Sequence, residues 1–387
     1  MAMWKSEKPA VAAGCFTKNA FAAAPVILDK EILKQHAKNI STLVINAGQA
    51  NACTGEEGLK NARLMVDHIK NNTPGEALIM STGVIGRQLD LPKIQKGIES
   101  LIPKLDETNE GWKSASRAIM TTDTVPKLSH ISTKIGSKDV IIGGTSKGAG
   151  MIHPNMATML GVICTDVSIS PECLQEALSY TVKRTYNCID VDGDTSTNDT
   201  VVALANGYAG NETITSTSSQ DYIDFRDALT SVARCLSKQL VRDGEGATKL
   251  VTIRVSGANK EDDAFKVAQS IAQSSLVKCA MFGKDPNWGR IVCAVGYSGV
   301  SIKPERVSLH FSNGDETNLS DSNRQKVQIV KGGQPISGAN ILKECSKILL
   351  EKDIIVEVDL GLGNEESIVW TCDLSKDYVA INADYTT

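Results

Sequence analysis

The chain alternates between two hydrophobic patterns along most of its length, and this alternation constrains its fold more than any other feature. Short apolar runs rich in β-branched residues, such as residues 43–46 and 77–80, alternate with longer segments whose apolar residues recur every three to four positions, such as residues 56–70 and 171–184. Short apolar runs are typical of buried strands, and a period of 3.6 is typical of helices. Alternating strands and helices predict the α/β (α+β) class, with β-sheets flanked by helices.

The same patterns predict the remaining elements and two domains. Further helices are expected over residues 94–102, 112–120, 198–208, 219–241, 262–273 and 340–350. Further strands are expected over residues 139–142, 158–164, 189–192, 250–255, 291–294, 307–311 and 354–360. A length of 387 residues corresponds to two domains or to one large one. A boundary at the SGAN turn predicts a larger domain over residues 1–256, a smaller α/β domain over 257–375 and a tail over 376–387.

Charge and composition argue against several classes of function. Lys and Arg together number 41 and Asp and Glu 45, so the net charge of −4 creates no field that would hold nucleic acid or an anionic membrane. Aromatic residues are only 4% of the chain, too few to suggest stacking platforms for bases. None of the five His stands in an HxH or HExxH spacing, which argues against the common zinc enzymes. We therefore expect no metal site and no nucleic-acid partner.

Cysteine usage and hydropathy indicate where the protein works. The ten Cys are scattered without a C-x-x-C pair, as expected for small buried hydrophobic residues in a reducing compartment. No apolar run approaches the roughly 18 residues of a membrane span. We expect a soluble intracellular protein with no membrane partner, in the cytoplasm or the mitochondrial matrix.

Two polar motifs resemble ligand-binding loops but fail the full patterns. GGTSKGAG, at residues 143–150, has neither the P-loop spacing nor the dinucleotide fingerprint, yet a turn of backbone N–H groups beside Lys147 suits a carboxylate substrate. DVDGDTSTNDT, at residues 190–200, resembles a calcium loop, but Thr195 and Val201 replace the required Gly and Glu. We expect a tight turn there, followed by an N-capped helix.

Two further segments carry groups suited to acyl transfer. STGVIG, at residues 81–86, follows a strand, and a hydroxyl beside a Gly N–H can bind an oxyanion, although a plain turn is the alternative. Thr158 begins an apolar run after a loop containing Pro154 and Asn155. If the bond before Thr158 broke, its new α-amine, with an ordinary pKa of about 7.7–8.0, would be a base beside the hydroxyl. A structural Thr in a strand is the alternative.

Nine motifs, in a fixed order, resemble the ornithine acetyltransferase family, the glutamate N-acetyltransferases of arginine biosynthesis. They are CFTKNAFAAAPV (15–26), NAGQANACTGEEGL (46–59), MSTGVIG (80–86), AIMTTDTVPK (118–127), SKGAGMIHPNMATMLG (146–161), DVDGDTSTNDT (190–200), VRDGEGATK (241–249), GKDPNWGRI (283–291) and WTCDLSKDYVAINADYTT (370–387). The resemblance implies a layered sandwich of β-sheets flanked by helices, of the DmpA/ornithine-acetyltransferase type, with a smaller second α/β domain.

The resemblance also implies a self-cleaving threonine enzyme. The matching bond joins Ala157 to Thr158, so cleavage would give α and β chains and leave Thr158 as the N-terminal nucleophile. Thr82 and Gly83 match the oxyanion hole. The residues that match the family's substrate contacts are Thr121, Lys147, Thr158, Glu245, Asn382 and Thr387. The C-terminal tail is then expected to return to the active site of the larger, catalytic domain.

The implied reaction moves the acetyl group of N2-acetylornithine to glutamate through an acetyl-threonine intermediate. Its partners would be these small amino-acid substrates and the two chains of one precursor, assembled as α2β2 or larger. No cofactor is implied, and acetyl-CoA stays open as a second acetyl donor. We expect Lys147 to bind a substrate carboxylate and Glu245 a substrate ammonium group.

The N-terminal segment departs from the family pattern. Residues 1–14 stand where the family usually has a few dozen further residues with a Gly-rich strand pattern, so the presence of that strand stays open. A truncated sequence or a removed targeting segment would also account for the departure. His153 stands five residues before Thr158, at a position often small in the family. Two other functions stay open: an N-terminal-nucleophile aminopeptidase or amidase, and an uncleaved, inactive binding homologue.

Overall fold

The computed structural model describes residues 1–153, 159–318 and 324–384, and the chain divides into two compact units. Within the described residues, unit 1 consists of Met1–Asn187 and Asp194–Leu240, and unit 2 consists of Cys188–Gly193 and residues 241–384. Each unit contains a mixed β-sheet with helices packed against it, which confirms the predicted fold class. Residue 256, where the sequence placed a boundary, lies inside a strand of unit 2.

Unit 1 is built on a sheet that has seven strands within the described residues. Their order across the sheet is β3 (Glu76–Val84), β2 (Ile40–Gln49), β1 (Ala2–Phe16), β8 (Thr200–Ala205), β6 (Leu160–Thr165), β5 (Lys138–Lys147) and β4 (Lys127–Ile135). The pairs β2–β3 and β6–β8 are parallel, and the other neighbours are antiparallel. The core of this unit includes buried apolar residues of both β1 and β2, among them Met3, Trp4, Leu43 and Ile45.

Strand β1 joins the two halves of this sheet. Its first part pairs with β2 and its second part, from Val11, pairs with β8. The pairing with β2 is irregular between Lys5 and Ala10, a stretch that includes Pro9, which cannot donate a backbone hydrogen bond. Such irregularities bend a strand and increase its twist, so the sheet curls about β1. Residues 2–16, which include most of the segment where the sequence departs from the family pattern, form this strand.

Unit 1 has six α-helices among the described residues, and three of them begin at a side-chain cap. The six helices are α1 (Ala24–His36), α2 (Gly55–Asn72), α3 (Leu91–Leu101), α4 (Asn109–Ala118), α5 (Pro171–Arg184) and α6 (Gln220–Arg242), whose last two residues belong to unit 2. The side chains of Asp90, Thr108 and Ser170 each accept a backbone N–H three residues on, at the starts of α3, α4 and α5. Helices α1 and α2 pack against β3, and α5 packs against β1.

Unit 2 repeats this organisation on a second sheet of seven described strands. Their order is β12 (Gln334–Pro335), β11 (Lys326–Lys331), β10 (Ser308–Asn313), β13 (Asp353–Asp359), β9 (Leu250–Ala258), β14 (Glu365–Cys372) and β7 (Ile189–Asp190). Its helices are α7 (Glu261–Gln273), α8 (Ser275–Phe282), α9 (Trp288–Gly296), α10 (Ala339–Ile348) and α11 (Lys376–Asp384). Helix α7 covers β9 and β14. Short 3-10 helices occur at Ile102–Lys104, Tyr186–Cys188, Pro304–Arg306 and Glu316–Asn318.

Two predicted elements were wrong. The helix expected over residues 198–208 is strand β8, which lies between β1 and β6 and has all its residues buried. A strand covered on both faces is a continuous apolar run, which periodicity cannot distinguish from a buried helix. The strand expected over residues 291–294 is helix α9, where the side chain of Asn287 accepts the Arg290 N–H at 3.3 Å and caps the helix.

Candidate functional site

Thr82 and Gly83 lie near the end of β3, where β3 runs parallel to β2. Gly83 faces Gly48 of β2, and both glycines have positive φ angles, +124° and +119°. A Cβ atom on Gly83 would lie 2.3 Å from the carbonyl carbon of Gly48, so the two backbones approach too closely for a side chain. The strand pairing is irregular at Gln49, and such bulges commonly redirect backbone groups beside active sites. The segment is therefore a distorted strand end, which differs from a plain turn.

Buried polar side chains hold this strand end in place. Ser81 Oγ donates to Asn46 Oδ1 at 2.6 Å. Asn198 Nδ2 donates to the carbonyl oxygens of Ser81 at 2.8 Å and Ala50 at 2.6 Å. Since Ser81, Asn46 and Asn198 are all buried, these bonds join the ends of β2 and β3 to the segment that precedes β8. They preorganise the Thr-Gly pair that follows Ser81.

Lys147 connects two hydroxyl groups predicted to belong to the site. It is the last residue of β5 and is 2% exposed. Its Nζ donates to Thr82 Oγ1 at 3.1 Å and to Thr121 Oγ1 at 2.8 Å. An ammonium group has donors only, so both hydroxyl oxygens accept from it and the Thr82 hydroxyl hydrogen stays available to another acceptor. The structure thus brings together Thr82, Gly83, Thr121 and Lys147.

This meeting depends on the curl of the sheet. Four strands separate β3 from β5, so a flat sheet would place them about 24 Å apart at roughly 4.8 Å per strand. A lysine side chain cannot cover that distance, yet Lys147 Nζ lies 3.1 Å from Thr82 Oγ1. The ends of the two strands converge because the sheet curls about β1. The candidate site lies at this convergence.

A carboxylate and a second lysine lie behind Lys147. Asp123 Oδ1 accepts from Lys127 Nζ at 2.6 Å and from the Gly148 N–H at 2.7 Å, and Asp123 Oδ2 accepts from the Thr121 N–H at 3.1 Å. Burial alone would raise the pKa of Asp123, but the charges of Lys147 and Lys127 and the Gly148 N–H hold that pKa below its usual value. The side chains of Asp123 and Lys127 are both fully buried. An ionised carboxylate therefore ties the loop between α4 and β4 to the end of β5.

A second buried carboxyl group stands at the start of β6. Met159, the residue after Thr158, donates its N–H to Asp199 Oδ1 at 3.0 Å. The carbonyl oxygen of Met159 accepts from the Thr200 N–H at 3.2 Å. Burial raises the pKa of Asp199 well above its usual value, against the opposing effects of the Met159 N–H and the charge of Lys147. Both backbone groups of Met159 are therefore held by the segment that leads into β8.

Two predicted site residues contact each other in unit 2. Asn382 of α11 donates through Nδ2 to Glu245 Oε2 at 2.8 Å and to the carbonyl oxygen of Tyr378 at 3.0 Å. Glu245 is half-buried in the loop between α6 and β9. The next residue, Gly246, has a φ of +69°, and a Cβ atom there would lie 2.5 Å from the Tyr378 nitrogen, so the loop and α11 are in close contact. The carboxylate and amide together suit the binding of a substrate ammonium group.

The two polar motifs differ from their predicted structures. The GGTSK segment is part of β5 and not a turn, and a Cβ on Gly144 would lie 2.9 Å from the carbonyl oxygen of Val162, so this glycine permits close pairing with β6. The acidic motif leads into strand β8 and not into a helix. Asp190, the first carboxylate of this motif, has Oδ2 3.0 Å from Lys278 Nζ. The residue that would be the first ligand of a calcium loop therefore forms an ion pair with a lysine.

Within the described parts of the chain, no group of three or more His, Cys, Asp or Glu is arranged to hold a metal ion. Among the described helices, none combines the length and apolar character that a bilayer crossing requires. Ala157, Thr158 and Thr387 fall outside the described residues.

Sequence reasoning missed three buried polar residues that support the site. They are Asp123, Asn198 and Asp199. Asp123 stands four residues before Lys127, and this spacing in TTDTVPK was the available signal. Asn198 and Asp199 lie near the end of the acidic motif, where the sequence predicted a helix cap and the structure shows contacts with β3 and with Met159.

Comparisons with known proteins point to one family. A family model described as the ArgJ family matches residues 1–387. The "Arginine biosynthesis bifunctional protein ArgJ, mitochondrial" of Heterostelium pallidum is 47% identical over 99% of this chain and 88% of its own length. The protein of the same name from Dictyostelium discoideum is 46% identical over 99% of this chain and 87% of its own. A solved chain of arginine biosynthesis bifunctional protein ArgJ from Bacillus halodurans is 41% identical, covers 57% of this chain and 96% of itself, and superposes with a TM-score of 0.51.

Proposed function

Because this chain belongs to the ArgJ family, we propose that it transfers the acetyl group of N2-acetylornithine to glutamate, giving ornithine and N-acetylglutamate. Family membership confirms the predicted enzyme class, an arginine-biosynthesis enzyme of the ornithine acetyltransferase type. The proposal concerns the particular substrates, the threonine intermediate and the residues that carry the reaction.

One observation supports this chemistry above the others: the Lys147 ammonium donates to the hydroxyls of Thr82 and Thr121. A hydroxyl that already accepts from an ammonium presents its own hydrogen as a polarised donor. Beside the N–H of Gly83, this donor suits an oxygen that becomes negative in a tetrahedral intermediate. One such donor is typically worth about 3–4 kcal/mol in the transition state.

The proposed reaction proceeds in two half-reactions through Thr158. The Thr158 hydroxyl attacks the acetyl carbonyl carbon and its proton passes to the free α-amine of the same residue. Thr82 and Gly83 donate to the oxyanion until the C–N bond to ornithine breaks and the leaving amine takes the proton. The glutamate amine then attacks the acetyl-threonine ester through a second oxyanion, and the Thr158 hydroxyl is restored.

Each unit, taken by itself, contains charged side chains of a kind that suits an amino-acid substrate. In unit 1, the cation of Lys147 and the hydroxyl of Thr121 suit a carboxylate. In unit 2, the Glu245 carboxylate beside Asn382 suits an ammonium group. We assign Thr387 to the substrate contacts by family resemblance. No cofactor takes part in these steps. Acetyl-CoA is a candidate second donor, since the relatives are named bifunctional.

We further propose that cleavage between Ala157 and Thr158 produces the active α and β chains. The solved Bacillus halodurans chain covers 57% of this chain, and 230 of the 387 residues here follow Ala157, a comparable share. We propose an α2β2 or larger assembly of these chains. The relatives whose names include "mitochondrial" support a matrix location over a cytoplasmic one.

Intact-mass measurement of the purified protein tests the nucleophile. We expect fragments of roughly 17 and 25 kDa, in proportion to the chain's 41.4 kDa, with Thr158 at the start of the larger one. Thr158→Ala lacks the hydroxyl for the acyl shift and should remain a single chain, whereas Thr158→Ser should still cleave. Efficient cleavage of Thr158→Ala would exclude this mechanism.

Product analysis separates the proposed transferase from its two alternatives. The cleaved enzyme with N2-acetylornithine should form N-acetylglutamate only when glutamate is present, and the β chain should carry an acetyl group when glutamate is absent. An aminopeptidase or amidase would release acetate at the same rate with or without glutamate. An uncleaved binding homologue would give one chain and no product.

A further inference from the structure

Asp199 carries a fully buried carboxyl group of which one oxygen is not used by the rest of the described chain. Oδ1 accepts the Met159 N–H at 3.0 Å. Oδ2 is also buried and has no hydrogen-bond partner among the described residues. Buried polar atoms in native proteins are usually hydrogen-bonded, and a catalytic role is one of the reasons for an exception.

The backbone around this carboxyl group is held firmly. The carbonyl oxygen of Asp199 accepts the Thr17 N–H at 2.9 Å, and the Thr200 N–H donates to the Met159 carbonyl oxygen at 3.2 Å. Asn198 ties the same segment to the end of β3. The carboxyl group of Asp199 therefore cannot leave the start of β6 without breaking several buried hydrogen bonds.

Thr158 directly precedes the N–H that Asp199 accepts. Consecutive backbone nitrogens are three covalent bonds apart and so lie less than about 4 Å from each other. Asp373 of unit 2 shows that one carboxyl group can serve two of them, because its Oδ1 accepts the N–H groups of Thr248 at 2.8 Å and Lys249 at 2.9 Å. Its Oδ2 accepts from the Thr248 hydroxyl. A carboxyl group bonded to one N–H can therefore also reach the nitrogen and hydroxyl of a threonine that precedes it.

Burial keeps Asp199 in the form that can donate a proton. It raises the pKa of Asp199 well above its usual value, and the Met159 N–H, the charge of Lys147 and the Ser196 hydroxyl oppose this increase only in part. A protonated carboxyl group still has an oxygen that accepts the Met159 N–H and gains an O–H donor at its other oxygen.

We propose that Asp199 is the general acid of self-cleavage, which donates a proton through Oδ2 to the Thr158 nitrogen as the bond between Ala157 and Thr158 breaks. This inference rests on the cleavage proposed above. The Thr158 hydroxyl oxygen bonds to the Ala157 carbonyl carbon, the C–N bond breaks, and the nitrogen becomes an amine by taking the Asp199 proton. The proton lost by the Thr158 hydroxyl restores the Asp199 carboxyl group. Water then hydrolyses the ester to the Ala157 carboxylate and the Thr158 hydroxyl.

Asp199→Asn tests this role, because it keeps an oxygen that accepts the Met159 N–H and removes the acidic proton. Precursor made by cell-free translation can be transferred to buffers from pH 6 to pH 10 and its cleavage followed on denaturing gels. At pH 6 the variant should cleave about 100-fold or more slowly than wild type, the usual contribution of a general acid. The difference should shrink as the pH rises through the raised pKa of Asp199, because the wild-type carboxyl group then loses its proton.

Asp29 offers a matched control in unit 1. Its carboxyl group is 1% exposed, Oδ1 accepts the Ile79 N–H at 3.0 Å, and Oδ2 has no partner in the described part of the chain. Burial raises the pKa of Asp29 well above its usual value too. Its N–H partner lies in β3 and not beside the cleaved bond, so Asp29→Asn should cleave at nearly the wild-type rate at every pH.

A purely structural role of Asp199 predicts a different pattern. Asp199→Asn would then cleave at the wild-type rate, or more slowly by one factor at every pH, and either result would overturn the inference. If circular dichroism shows that Asp199→Asn does not fold, the wild-type profile decides. A wild-type rate that falls at alkaline pH while the fold stays intact supports the acid, and a rate that keeps increasing to pH 10 excludes it.

Cleavage is measured without acetyl transfer, so this inference and the proposed transferase can fail separately. A wild-type protein that cleaves before Thr158 without forming N-acetylglutamate would refute the transferase, and the pH profile of Asp199→Asn would still decide the role of Asp199. Efficient cleavage of Thr158→Ala would refute the nucleophile and, with it, the proton transfer from Asp199.

Discussion

For single residues, the direction of one hydrogen bond determines what Thr82 can do. The Lys147 ammonium donates and cannot accept, so the Thr82 hydroxyl hydrogen stays available to another acceptor. A motif that contains Ser-Thr-Gly leaves three candidate donors, two hydroxyls and an N–H. The structure separates the two hydroxyls, because Ser81 Oγ is already bonded to the buried amide oxygen of Asn46. Thr82 is the hydroxyl that remains suited to the oxyanion.

Thr82→Ala should lower kcat by about 10²–10³ and change KM little, because an oxyanion donor acts where charge develops in the transition state. Self-cleavage passes through an oxyanion too, so steady-state kinetics should be measured on the cleaved fraction only. Thr82→Ser keeps the hydroxyl and is the matched control, with kcat expected within about tenfold of wild type. A normal kcat with a strongly raised KM in Thr82→Ala would make Thr82 a substrate contact instead.

Strand β3 and the turn that follows it contain two glycines that are required for different physical reasons. Gly83 and Gly86 both have positive φ angles, +124° and +82°. A Cβ on Gly83 would overlap the backbone of Gly48, whereas a Cβ on Gly86 would meet no atom of the described residues within 4 Å. The first glycine is thus required by the approach of β3 to β2, and the second only by its own conformation.

Gly86→Ala should reduce the free energy of unfolding by about 1 kcal/mol, the cost of a left-handed conformation in an L-residue. Gly83→Ala should cost more than about 3 kcal/mol, since overlap with a backbone adds to that strain. Thermal unfolding followed by circular dichroism compares the two variants. Equal shifts in Tm would mean that β2 can move away from β3 and that the close approach is not enforced.

At the scale of the whole molecule, a short segment from the middle of the unit 1 sequence belongs to unit 2. Cys188–Gly193 belongs to unit 2, although the residues before and after it belong to unit 1. Lys278 holds this segment: its Nζ lies 3.0 Å from Asp190 Oδ2 and donates to the Val191 carbonyl oxygen at 3.0 Å. Burial alone would lower the pKa of Lys278, but the Cys372 sulfur and the carboxylate of Asp190 raise it, so the group is charged at neutral pH.

Lys278→Met should reduce the free energy of unfolding by about 3–5 kcal/mol, because it leaves the fully buried Asp190 carboxylate without its cation. The double variant Lys278→Met/Asp190→Asn removes both charges and should recover part of that loss. Chemical denaturation at pH 7 measures both variants. If the double variant were no more stable than Lys278→Met, the loss would come from packing and not from the unpaired charge.

The sequence by itself determined most of the elements and predicted a set of candidate site residues. Helices such as Pro171–Arg184 followed from local signals, an N-cap and a proline at the first turn, which act within a few residues of chain. Residues 198–208 and 291–294 were assigned wrongly because a short apolar run has no period when neighbours bury it on all sides. The nine motifs pointed to Thr82, Lys147 and Glu245 because the order of residue types in each motif resembles the family pattern. That resemblance can be seen without knowing where the residues lie in space.

Only the tertiary structure decided how those residues work together. No spacing along the chain shows that Lys147 meets Thr82, because the two lie on strands that a flat sheet would keep about 24 Å apart. The bend of β1 between its two partner strands closes that distance. Asp123 and Asp199 can be recognised as part of the candidate site only because the structure shows that they are buried. A buried carboxyl group is costly unless it is hydrogen-bonded, so its few partners are informative. Local propensity acts over a few residues, whereas the electrostatics of a buried site depend on which strand ends the curled sheet brings into contact.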